Sequence, residues 1–496
     1  MENMEPVEVF HYFEEMNNIP RGSGNEKRIS DYLVSFAKEH NLEVIQDKAL
    51  NVIIRKPGTK GYEESPGVVI QGHMDMVCEK RPDVMHDFMT DPIQMKVVGD
   101  MLYANGTTLG GDDGIAVAMG MAVLASDTME HPPIELLVTT SEETGMDGAH
   151  ALDPKNILGK TLINIDSEEE GILTVSCAGG CSSKINIPII WEDADNSRAA
   201  YIIDITGLKG GHSGVEIHTG RANANKLMAR LLKSINLDTD LNLCSINGGS
   251  KHNAIARDAR AVVCVNLEAV PMLKEKISSL EYIFRDEFKV SDSDIKIELN
   301  PVENMPKRIM SKDTRDNIIN FMYLIPNGVQ SVSLDIEGLV ESSLNLGVVQ
   351  TGEETIEIIS SIRSSVGSIK DNIFHTVAAI AELTNGKVTA ESDYPEWKYN
   401  PDSKVRLLFI ELYEKLFGEK PLISAIHAGL ECAIFDKKFE GKMDMISDHC
   451  WSTYCRGTFK YPIHPEDMEV FDRSFESPQI TAEMPLIIKI LICINN

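Results

Sequence analysis

Long apolar runs, paired cysteines and positive charge are all scarce in this chain, and each scarcity closes off a class of function. No stretch is long and apolar enough to span a bilayer, and the apolar segment 485–492 is short and broken by Lys489. The opening residues, Met1-Glu2-Asn3-Met4-Glu5-Pro6, lack the basic and apolar regions of a signal peptide, so a cytoplasmic location is expected. Nine cysteines are scattered without a CxxC spacing and read as reduced thiols used for packing. Basic side chains number 47 against 76 acidic ones, a balance of −29 that argues against nucleic acid and anionic membrane surfaces as partners.

What is present is a chain of 496 residues, too long for one ordinary core, so two domains are expected. Helical periodicity covers residues 6–40, interrupted by the turn Pro20-Arg21-Gly22-Ser23-Gly24-Asn25. Strands follow at 42–55, and the buried-type run Gly67-Val68-Val69-Ile70 leads into Gln71-Gly72-His73-Met74-Asp75. Residues i and i+2 of a strand face the same way, so His73 and Asp75 project together, one to bind a metal and the other to steer it. Downstream, Gly110-Gly111-Asp112-Asp113-Gly114 places a carboxylate at a helix start, where an ordinary cap is an equally simple reading. The strand 134–140 runs into Glu142-Glu143, whose side chains point in different directions. One can ligate a cation while the other takes a proton from water. Another strand, 161–165, ends in Asp166. Four such tips at the carboxyl edge of an open α/β sheet are expected to converge.

The set Gly72-His73-Met74-Asp75, Gly110-Gly111-Asp112-Asp113-Gly114, Glu142-Glu143-Thr144-Gly145 and Asn164-Ile165-Asp166 resembles the di-zinc aminoacylase/carboxypeptidase superfamily. The stretches Gly207-Leu208-Lys209-Gly210-Gly211-His212-Ser213-Gly214 and Ala425-Ile426-His427-Ala428-Gly429-Leu430-Glu431-Cys432 narrow the likeness to its aminoacyl-histidine dipeptidases. It runs from near the start to about Ser447. The resemblance implies an α/β catalytic domain with a mixed sheet and helices on both faces, in two parts at 1–183 and 392–496. An α+β lid at 184–391 would be inserted between them and doubled. In relatives with a doubled lid the second half takes a dimer partner's place, so monomer and homodimer both stay open. Two divalent metal ions are implied, zinc first, with cobalt or manganese as alternatives.

Carried over residue by residue, the family pattern has His73 and Asp166 hold one metal, Glu143 the other, and Asp112 bridge both. Asp75 would orient His73, and Glu142 would be the general base toward a water bridging the metals. The peptide after Asp112 is cis in relatives. In the lid, His212 would stabilise the oxyanion, while Asn253 and Arg363 would grip the substrate's backbone and terminal carboxylate, and Gly429 would lie against the substrate. The implied function is hydrolysis of small unblocked dipeptides, including Xaa-His. An aminoacylase or carboxypeptidase, or an impaired member acting by binding, is the alternative.

After Ser447 the family wording fails. The fifth ligand is assigned to His464, in Ile463-His464-Pro465-Glu466, with His449 as the second choice. A reading-frame change is the third reading, because back-translation of 449–459 read one base along can yield a segment close to the family's.

Overall fold

In the computed structural model, residues 6–98, 101–167 and 171–449 are described. They fall into two compact units, one built from residues up to 176 with 399–425 and the chain from 430, the other from 177–398 with 426–429. The boundary expected at 184 falls inside the strand Gly179–Pro188, which belongs wholly to the second unit.

The first unit carries an eight-stranded mixed sheet. Its middle is four parallel neighbours, in the order Ile134–Thr139, Val68–His73, Thr161–Ser167 and Asp444–His449. Val68, Val69, Ile70, Leu136, Leu137 and Val138 are all buried, as continuous apolar runs of inner parallel strands require. The helix Gly111–Ala125 is built of small and apolar residues and is buried from Gly114 to Leu124, so it is a core helix with no solvent face. It packs against the helix Val7–Asn17. The helix Lys27–Glu39 is amphipathic, turning Ile29, Leu33 and Phe36 inward.

The second unit is an antiparallel sheet of nine strands. One half runs Lys296–Pro301, Ala199–Thr206, Ala259–Val265, Asn242–Gly248, and the other runs Val340–Thr351, Thr355–Ser364, Gly179–Pro188, Lys387–Tyr394. The halves join through the single Gly248–Val349 pairing, and the strand Gly328–Val332 adds to Val340–Thr351. Helices Ala224–Asp238, Val270–Glu287, Lys312–Leu324 and Gly367–Leu383 contribute to the same core as the sheet, which includes Ile203, Val263, Leu231, Phe284, Ile358 and Val377. Burying each such side chain contributes roughly 1.5–3 kcal/mol. Pairing of the added strand Gly328–Val332 ends at Val332, where the Ser333 hydroxyl accepts the Asp335 and Ile336 amides and makes a turn. Among the described residues no helix is long and apolar enough to cross a membrane.

Candidate active site

The parallel strands of the first unit deliver their carboxyl ends to one place. His73 closes its strand fully buried, and Gly72 is what lets it do so: a Cβ there would meet the Asp113 carboxylate at 2.5 Å and Ala116 at 2.9 Å. Asp113 in turn accepts the His73 amide at 3.1 Å. The His73 ring points Nε2 at Asp112 Oδ1 (3.0 Å), Asp166 Oδ1 (3.7 Å) and Glu142 Oε2 (3.9 Å). Its Nδ1 lies 3.2 Å from the Asp75 carbonyl and 3.3 Å from Asp75 Oδ1. With Nδ1 turned to Asp75, Nε2 is the ring nitrogen that faces the carboxylates: it donates to Asp112, and it would offer its lone pair to a cation that replaced that proton.

Asp75 is a hub. Its Oδ1 accepts the Glu142 amide at 3.1 Å, and its Oδ2 accepts the Glu143 amide at 3.3 Å and the Ser23 hydroxyl at 2.7 Å. One buried carboxylate therefore sets the histidine and both glutamates in register. Asp112 differs from expectation in its support. It stands on no strand tip but in the first turn of the helix Gly111–Ala125, with non-helical φ/ψ of −77° and 107°. The Asp112–Asp113 peptide is cis, as in the relatives invoked from sequence. Asp166 lies within the strand Thr161–Ser167, and Glu143 in the helical turn Glu142–Gly145.

Two overlapping cages result. Ligand atoms of His73, Asp112 and Glu143 lie within 4.8 Å of one another, and so do those of His73, Asp113 and Asp166. The second cage contains Asp113, which sequence reasoning passed over although it sits inside the quoted Gly-Gly-Asp-Asp-Gly. Glu431 was missed too. It is fully buried, and its Oε2 accepts from Gln71 Nε2 at 2.6 Å and the Thr139 hydroxyl at 2.7 Å. Electrostatics show what this donor set wants. Burial and the Asp166 charge push Asp113 and Glu142 well above the usual carboxylate range, and burial lifts Glu431 to about 8. Burial opposes charge on His73, yet its bonds to Asp112, Asp166 and Asp75 raise it well above an ordinary histidine. Carboxylates that repel one another around an imidazole lower their energy by taking up positive charge, so the residues present fit divalent cations.

His464 lies outside the described residues, and so does any test of it as the fifth ligand. His449 closes the fourth parallel strand, its Cα in register with Ser167.

The remaining expected site residues belong to the second unit, where they gather. His212 pairs with Ala254 in a short two-stranded antiparallel ladder, beside Asn253, whose carbonyl accepts the Ser213 amide at 2.9 Å. His212 Nδ1 accepts the amides of Gly214 (3.2 Å) and Val215 (3.1 Å), which leaves its proton on Nε2. Burial, then the Arg363 charge, lower His212 to about 4, so it is a neutral N–H donor. Arg363 is paired in register with Ser343 and donates to the Tyr394 hydroxyl at 2.8 Å, while its buried Nε has no hydrogen-bond partner. His427 lies 2.7 Å from the Ser343 hydroxyl, in the 426–429 segment that also holds Gly429. Burial and Arg363 hold His427 down at about 3. His427 and Tyr394 were not singled out from sequence.

A sheet whose tips carry one imidazole among carboxylates, with an antiparallel α/β insertion, defines a metallopeptidase of the M20 type, and residues 203–292 match the Peptidase dimerisation domain family. The chain is 39% identical over 447 residues to the cytosol non-specific dipeptidase of Escherichia coli (strain K12), covering 90% of this chain and 92% of that one. The crystal structure of the aminoacylhistidine dipeptidase from Vibrio alginolyticus superposes with a TM-score of 0.86 at 37% identity, over 90% of this chain and 91% of that one. A tripeptidase from Staphylococcus aureus shares the fold at 15% identity, with a TM-score of 0.53 and 98% of both chains covered. This chain belongs to the aminoacyl-histidine dipeptidase family of metallopeptidases.

Proposed function

We propose that this chain hydrolyses unblocked dipeptides, Xaa-His among them, with two divalent cations, zinc foremost, held by His73, Asp112, Glu143 and Asp166. The observation that carries the reading is the approach of Asp112, Asp166 and Glu142 to His73 Nε2. When bound, the cations supply Lewis acidity that polarises the peptide carbonyl and makes water acidic near neutral pH. Glu142 takes the proton of the attacking water and returns it to the leaving amine. Burial and the neighbouring carboxylates give it the raised proton affinity that an acceptor which must later donate requires. Asp75 holds His73 and the Glu142 backbone in place throughout. His212, neutral and protonated on Nε2, donates to the developing oxyanion. Arg363, with a buried N–H to spare, takes the substrate's terminal carboxylate, aided by Asn253 and Gly429. The fifth ligand is His464, with His449, whose Cα pairs with Ser167, as the second choice. The family match at 203–292 supports a homodimer, and the cytosolic naming of the Escherichia coli relative supports a cytoplasmic setting.

The test is a panel of free dipeptides, N-acyl amino acids and longer peptides, assayed while zinc, manganese or cobalt is titrated into chelator-stripped protein. Metal-dependent cleavage confined to free dipeptides is expected. A preference for N-acyl amino acids would move the chain to aminoacylase chemistry, and absence of metal uptake would leave only a binding role.

A further inference from the structure

We propose that the turn at residues 21–26 is the template that holds the metal-ligand loops in register, with Arg21 as its principal positioning residue. The inference rests on the reading of His73, Asp112 and Glu143 as ligands. No part of the turn supplies a ligand itself, yet it is bonded to every loop that does so in the first cage.

Arg21 is 1% exposed and is among the largest fully buried side chains. Its Nη1 donates to the carbonyls of Met74 (3.0 Å) and Asp75 (3.3 Å), the two residues after His73. Its Nη2 donates to the carbonyl of Gly110 at 2.6 Å, two residues before Asp112, and to Asn17 Oδ1 at 3.1 Å. One guanidinium thus joins the His73 strand tip to the Asp112 helix start, and Asn17 braces the guanidinium from behind. Gly110 (φ 70°) and Gly114 leave room for it, since a Cβ at either would run into Arg21 Nη2. Two neighbours finish the template. Gly22 bridges to Met76, and Ser23 bonds the Asp75 carboxylate at 2.7 Å. Glu26 Oε1 accepts both the amide (3.1 Å) and the hydroxyl (3.0 Å) of Ser141. Ser141 holds φ 54°, a conformation side-chain-bearing residues rarely adopt, and it immediately precedes Glu142 and Glu143.

The choice of arginine follows from geometry. A planar fork can donate to two loops at once in fixed directions, whereas a lysine is a point charge on a flexible stem that reaches one of them well. A buried cation in this position also faces Asp75, Asp113 and Asp112, so it offsets negative charge without occupying the ligand cage.

The experiment uses full-length protein stripped of metal, as wild type, Arg21→Lys, Arg21→Met and Glu26→Leu. Thermal melting of each stripped protein is recorded first. Cobalt(II) is then titrated in and followed by its visible absorption, and zinc affinity is measured against a chromophoric chelator. Wild type is expected to bind. Arg21→Met is expected to lose at least tenfold in affinity, with an altered cobalt spectrum, and Arg21→Lys to recover part of the loss. Glu26→Leu, which removes both acceptors of Ser141 while leaving Arg21 in place, is expected to change the spectrum as well and decides the matter if Arg21→Met does not fold. Folded Arg21 variants with wild-type affinity and spectrum overturn the assignment to Arg21, and a wild-type result for folded Glu26→Leu overturns the template. A wild-type protein that takes up no metal overturns the ligand reading itself, and this inference with it.

Discussion

Replacing Asp75 by asparagine keeps the side chain's shape and removes its charge, and the cost can be worked from its contacts. The carboxylate accepts the amides of Glu142 and Glu143 and the Ser23 hydroxyl, and its Oδ1 lies 3.3 Å from the His73 ring. Asparagine retains one accepting oxygen, so whichever way its amide is turned, one of the two backbone N–H groups faces another donor. A hydrogen bond to a charged group contributes about 1.5–3 kcal/mol, and a buried N–H left unmet costs about 1–3 kcal/mol. The sum is roughly 2.5–6 kcal/mol, divided between the stability of the metal-free protein and the pre-organisation of the ligands. Loss of a charge oriented on a ligating histidine typically lowers metal affinity about 10- to 100-fold. Asp75→Asn is therefore expected to bind zinc at least tenfold more weakly than wild type in a chelator competition, with a fall in dipeptide kcat even at saturating metal, because the Glu142 backbone loses its anchor. Metal affinity and kcat both within twofold of wild type, in a folded variant, would refute the role given to this carboxylate.

Glu142→Gln is expected to lower kcat by roughly 10²–10⁴, the usual worth of a positioned acid–base group, while metal stoichiometry by elemental analysis stays at the wild-type value. His212 titrates at about 4, so between pH 5.5 and about 8 it is neutral; the pH profile of kcat/KM is expected to show no limb at an ordinary histidine pKa, and such a limb abolished in His212→Asn would contradict its use as a neutral donor. His427 is held at about 3 in the folded state against 6.5 as its ordinary value, so the unfolded chain binds the extra proton in that window. Its contribution to stability is complete above about pH 7 and is lost as pH falls from 6.5 toward 3, a loss on the order of a few kcal/mol that denaturant melts should show and that His427→Gln should flatten. Gly72→Ala places a methyl against Asp113 and Ala116 and is expected to destabilise by about 1–3 kcal/mol, read as a lower melting temperature, with weaker metal uptake.

Local pattern was enough for much of this. The period-2 alternation of a strand and its Gly-terminated apolar runs located the tips at His73, Glu142 and Asp166, because those signals depend only on neighbours along the chain. The helices at 7–17 and 27–39 and the turn between them were legible for the same reason. Elements of the second unit without strong periodicity were not assigned, among them the strand Lys387–Tyr394, whose mostly exposed, polar residues are held by pairing to Gly179–Pro188.

What only the tertiary structure decided is which groups stand behind the ligands. Arg21 and Gly110 are 89 residues apart, and Gln71 and Glu431 are 360 apart, so no local periodicity can bring either pair together. Asp113 looked like half of a helix cap until the fold turned it onto the His73 amide. The amino-acid order alone thus determined the chemistry available at each strand tip, since that is a property of residue type and spacing. The fold determined charge balance, tautomer and burial, since those depend on atoms that meet only after the chain has closed on itself.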